Sequence, residues 1–110
     1  MPKDEQYETE TARLKTQAAE WRLRVVDSEL SLAVTLCALA ETEIRYARPD
    51  EARKLLNRIV RLAETMRIHI DEPNHLPTIA IADIRQRLTQ LTTCTEEIES
   101  KLRLQDIRSA

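Results

Sequence analysis

Glycine is missing altogether from this 110-residue chain, and so is phenylalanine. Without glycine there is no glycine-rich phosphate loop, no glycine-dependent tight turn and no glycine helix cap, so a sheet built on hairpins is hard to write. Aromatics amount to only 3%, with a single tryptophan, Trp21. Long hydrophobic runs are absent too. The longest, Leu30 to Ala40 (LSLAVTLCALA), is interrupted by Ser31 and Thr35, and falls well short of the about 20 apolar residues that cross a bilayer. The first residues carry Asp4, Glu5, Glu8 and Glu10, not the basic and then apolar layout of a secretory leader. No membrane association and a cytoplasmic location are the expectations. Cysteine is down to two, Cys37 and Cys94, both in apolar surroundings; the pattern predicts buried free thiols rather than a disulfide framework.

What is present is the composition of long helices. Charged residues make up 33% of the chain and hydrophobic ones 42%, with Ala, Leu, Glu, Arg, Gln and Lys abundant. Apolar content at regular spacing argues against a disordered chain. Charge is unevenly laid out: residues 1–43 carry a net −4, residues 44–67 a net +4 and residues 68–110 a net −2. A pI of about 5.7 speaks against a nucleic-acid footprint and for internal charge complementarity.

Four helical segments follow from the spacing of apolar residues, at about 4–26, 29–47, 49–70 and 78–104. The first carries Tyr7, Thr11, Leu14, Ala18, Trp21 and Val25 at alternating steps of 4 and 3, a narrow seam of the kind that packs one helix along another. Asp27 and Ser28 fit helix caps, yet no Pro or Gly enforces a break there. A break and a continuous rod both fit. The run from Leu30 to Ala40 is apolar nearly all round, which predicts a central helix with partners on several sides. Arg48-Pro49-Asp50-Glu51 is the clearest punctuation: Pro fits the first turn of a new helix and the acids suit its positive end. The short link predicts an antiparallel pair.

In the third segment Ala52, Leu56, Ile59, Ala63, Met66 and Ile70 repeat the 4, 3 spacing, with Lys54, Arg58 and Arg61 on the opposite side. Pro73, Asn74 and Pro77 mark a loop. The last segment has Ile84, Leu88, Leu91, Thr95, Ile98 and Leu102 as its seam, and a tail after Leu104 expected to fray. Together these predict an all-α fold, an antiparallel up-and-down bundle of three to four long helices in a single domain over residues 1–110.

Residues 39–64, LAETEIRYARPDEARKLLNRIVRLAE, resemble one helix pair of the tetratricopeptide type, through Leu39-Ala40 on the first helix and Asp50-Glu51-Ala52, Leu56 and Ile59 on the second. The turn lacks the family's usual glycine and no second copy occurs, whereas such repeats stack in arrays. The resemblance implies a protein- or peptide-binding surface and no chemistry.

Chemical candidates are few. His69, Asp71, Glu72 and His75 form the one cluster with metal-ligand chemistry, but Pro73 interrupts the Glu-x-x-His spacing that a helix would need. An acidic polar loop is the simpler reading, and no metal or other cofactor is expected. Cys37 has no histidine that the sequence pairs with it, so nucleophilic catalysis lacks its base. Lys54, Arg58 and Arg61 could track a phosphate backbone, but lack aromatic stacking partners; salt bridging to the acidic first helix, or solvation, is simpler. The expectation is therefore a non-enzymatic protein–protein interaction or oligomerisation module. Its interface residues would be Tyr7, Leu14, Trp21 and Val25, and its partner another protein or a second copy, with a homodimer slightly favoured over a Trp21 that caps the monomer's own core. The alternatives are a nucleic-acid-associated bundle using the basic third segment and a small metal-binding bundle.

Overall fold

The computed structural model describes residues 2–71 and 76–109, with side-chain surroundings for 7–71 and 76–108. The described residues form three helices: α1 (Pro2–Arg45), α2 (Pro49–Asp71) and α3 (Thr78–Ser109). They run up, down and up, each packing on both others. The all-α bundle expected from the apolar spacing is what forms.

The first two expected segments are one helix. Asp27 does not cap anything; its Oδ1 accepts from Arg87 Nη1 of α3 at 2.6 Å, in mid-helix. With no Pro or Gly nearby the backbone has no reason to break. α1 therefore runs for 44 residues, and the molecule measures 77 × 18 × 16 Å. Its C-terminal half lies in the bundle. Residues 7–18 are exposed throughout, so the N-terminal part projects beyond the bundle as an arm.

The turn after α1 solves the missing-glycine problem with alanine. Ala47 adopts φ 57°, the left-handed region. Its N–H donates to Ile44 O at 3.0 Å and that of Arg48 to Glu43 O at 2.8 Å. These two bonds satisfy carbonyls at the helix end in the pattern that usually places glycine at this position. An L-residue there costs roughly 1–2 kcal/mol. α2 then starts at Pro49, and Arg48 O accepts the first helical bond, from Ala52 N–H at 3.1 Å.

α2 buries Ala52, Leu56, Ile59, Ala63, Met66 and Ile70, the six residues that the spacing singles out. α3 buries Ile84, Leu88, Leu91, Ile98 and Leu102 with Thr95 half-buried. From α1 the core takes Val26, Leu30, Ala33, Leu36, Cys37 and Ala40. Ala33, Ala40 and Ala52 are fully buried; such small side chains let helix axes approach closely, and the core is built of aliphatic residues with Cys37 and Met66, without an aromatic among its described members.

Two expectations are corrected. The tail does not fray at Leu104: α3 continues to Ser109 because Gln105 Nε2 donates to Ile44 O at 2.7 Å and Asp106 pairs with Arg53 of α2. Nor is Leu30–Ala40 enclosed on several sides. Leu32, Val34 and Leu39 are exposed, because only two helices pack on α1 and both lie on one side of it.

Candidate protein interface along the first helix

α1 carries two apolar seams, not one. The buried seam runs Ala19, Leu23, Val26, Leu30, Ala33, Cys37, Ala40, Ile44 at steps of 4, 3, 4, 3, and every one of these is buried or half-buried. The second runs Tyr7, Thr11, Leu14, Ala18, Trp21, Val25, Ser28, Leu32, Thr35, Leu39, Thr42, Tyr46 in the same alternation. Their columns are offset by one residue and by two, which sets the two seams about 150° apart around the helix. Val25 and Thr42 are half-buried; the other ten positions are exposed. Tyr46 lies just past the last helical residue, but its N–H still donates to Thr42 O at 3.0 Å, so it keeps the helical phase.

The second seam holds every aromatic residue of the chain. Tyr7 is 71% exposed, Trp21 65% and Tyr46 68%; the composition has no other aromatic to place in the core. Leu14, Leu32 and Leu39 complete it, all exposed. Its threonines are less polar than they look. Thr35 Oγ1 donates to Ser31 O and Thr42 Oγ1 to Ala38 O, each at 3.0 Å, which turns their hydroxyl hydrogens onto their own helix.

The sequence-predicted interface residues fall here: Tyr7, Leu14 and Trp21 are exposed on the arm, and Val25 is half-buried where the arm meets the bundle. Trp21 is 65% exposed. It flanks an open cleft with Arg22, Val25, Val26, His69 and Leu76. Sequence reasoning missed the continuation through Leu32, Leu39 and Tyr46. The signal was available, since the 4, 3 alternation never breaks across Asp27 and Ser28; assigning the whole Leu30–Ala40 run to the core concealed it.

The other candidates are not gathered into a site. Lys54, Arg58 and Arg61 are exposed on α2, and Lys54 pairs with Glu51 of its own helix at 3.2 Å. The acids of α1 are met mainly by α3, through Arg87–Asp27 and Lys101–Glu41, with Arg48–Glu43 at the turn. His69 and Asp71 are exposed near the end of α2, while Glu72 and His75 lie outside the described residues. Among the described residues no group of three or more His, Cys, Asp or Glu could hold a metal ion.

The two cysteines, remote in sequence, meet in space. Cys37 of α1 and Cys94 of α3 are free thiols, one buried and one half-buried, lining the same narrow cleft beside Leu30 and Leu91. Burial pushes the Cys37 thiol up to about 12, with the hydrogen bond and charge interaction of Cys94 and the charge of Glu41 adding to it. A thiol so disposed is neutral at physiological pH and a poor nucleophile.

Among the described residues no helix is long and apolar enough to cross a membrane. No protein-family model matches the chain, and no curated protein or solved structure does either.

Proposed function

We propose that this protein is a non-enzymatic interaction module that self-associates through the exposed seam of α1. The observation that carries the reading is the placement of all three aromatics, Tyr7, Trp21 and Tyr46, on one solvent-facing stripe while the core has no aromatic. Contiguous exposed apolar surface on a small domain marks an interaction site, and aromatic anchors commonly dominate interface energies. The arm adds a second support. Residues 7–18 are exposed throughout, and most helical stability comes from tertiary packing of an apolar face; packing across an interface would add to what holds this stretch helical.

The tetratricopeptide-like hairpin over residues 39–64 belongs to the same reading, as a scaffold for protein contact. A cytoplasmic setting is part of the proposal, in keeping with two adjacent thiols that are not bonded to each other. Sedimentation equilibrium of the wild type and of Trp21→Ala tests it. The wild type should be a dimer at micromolar concentration, and the variant should move toward monomer with bundle helicity retained. A wild type that stays monomeric at high protein concentration would remove the proposal.

A further inference from the structure

The seam also has an orientation written in its flanks. We propose that the second copy docks parallel and in register, α1 beside α1 over the whole length from Tyr7 to Tyr46. This rests on the self-association proposed above and specifies its geometry. In heptad terms Thr11, Ala18, Val25, Leu32, Leu39 and Tyr46 take one core column and Tyr7, Leu14, Trp21, Ser28, Thr35 and Thr42 the other. The flanking positions are then Glu10, Gln17 and Arg24 on one side and Glu8, Lys15, Arg22 and Glu29 on the other.

In a parallel pair each residue of the first flank faces the second flank one heptad on. Glu10 then meets Lys15 of the second copy, and Arg24 meets its Glu29. Gln17 meets Arg22 without conflict. Each contact occurs twice by symmetry, and no like charges face each other. Antiparallel overlaps do worse. Pairing the arms over 7–25 matches Glu8 with Arg22 and Glu10 with Arg24 but sets Lys15 against Lys15 of the second copy, and overlapping the full seams matches Arg22 with Glu29 and Glu10 with Arg45 but sets Glu8 against Glu43, whereas the parallel register has no like-charge contact.

The area is sufficient. A seam from residue 7 to residue 46 at about 1.5 Å per residue extends close to 60 Å. Three aromatics at about 150–250 Å² each, with Leu14, Leu32 and Leu39 beside them, bring the about 800 Å² per partner of a stable interface within reach.

Oxidative cross-linking tests the orientation with the full chain. Leu14→Cys and Leu39→Cys change exposed seam positions, and Val34→Cys changes an exposed position off the seam; each variant is incubated with glutathione buffer, alone and in the pairwise mixture, with the unsubstituted chain as blank. A parallel, in-register pair places each seam position against itself. Leu14→Cys and Leu39→Cys should then each form covalent dimers alone, as the majority species, while Val34→Cys stays at the blank's level. Covalent dimers only in the Leu14→Cys plus Leu39→Cys mixture would show antiparallel overlap and overturn the proposal. A sedimenting dimer with no cross-link at either seam position would overturn it as well, leaving self-association through another face. A monomer by sedimentation would remove both this proposal and the function on which it rests.

Discussion

The two seams of α1 share one spacing and differ in what fills them. The buried seam is rich in small residues, Ala33, Cys37 and Ala40, and meets α2 and α3 closely. The exposed seam carries Tyr7, Leu14, Trp21, Leu32, Leu39 and Tyr46, larger side chains that the fold leaves exposed. A single amphipathic stripe suffices for a helix at the edge of a bundle. The second stripe, about 150° around the helix from the first, is what makes Leu30–Ala40 look apolar all round. That run reads as the centre of a bundle, yet it is a place where a buried and an exposed apolar seam share one helix.

Neighbouring residues on the two seams should respond differently. The largest effect is expected from Leu30→Ala, which empties a fully buried position and should destabilise the monomer by about 2–5 kcal/mol. Leu32→Ala, two residues on, should change monomer stability by no more than about 0.5 kcal/mol, while weakening association. Denaturant melts at low protein concentration, paired with sedimentation at high, separate the two. Equal destabilisation of the monomer by both would erase the distinction between the seams.

Cys37 sharpens the comparison through pH. Its thiol is held protonated in the fold, at about 12 against an ordinary 9.0. The folded state therefore binds the proton more tightly than the unfolded one. The stability this contributes is complete below about pH 9 and is lost as pH rises from there toward 12. The stability difference between wild type and Cys37→Ala, followed by chemical denaturation, should fall across that window. A difference that is flat with pH would mean that the thiol is not desolvated as the structure has it.

A smaller effect is expected where both seams end. Ala47 occupies left-handed backbone without glycine's freedom, so Ala47→Gly should stabilise the bundle by about 1 kcal/mol, raising the melting temperature by a few degrees. It should leave association unchanged. A drop in stability would place the turn in another conformation.

Much of this was legible in the residues. The stripe of α2 was complete from Ala52 to Ile70 because one helix face meets one core, so spacing and burial coincide. The seam of α3 was legible for the same reason. α1 was harder, since a helix serving two surfaces dilutes its own periodicity, and Asp27 and Ser28 mimic a cap. The left-handed Ala47 could not be anticipated, because sequence rules assign that backbone to glycine or asparagine. The meeting of Cys37 with Cys94 needs the pairing of α1 with α3, which no local pattern encodes. The acids of α1 suggested the basic α2 as their partner, whereas the register of the bundle brings α3's Arg87 and Lys101 to Asp27 and Glu41.

The chain carries its own probe of the central claim, because its one tryptophan sits on the exposed seam. Trp21 is 65% exposed in the single chain, so its fluorescence reports directly whether that seam is covered in solution. The measurement is the emission maximum across a dilution series from high micromolar to nanomolar protein. Coverage by a second copy predicts blue-shifted emission at high concentration, moving to the wavelength of solvent-exposed tryptophan on dilution. Solvent-exposed emission at every concentration would contradict the account.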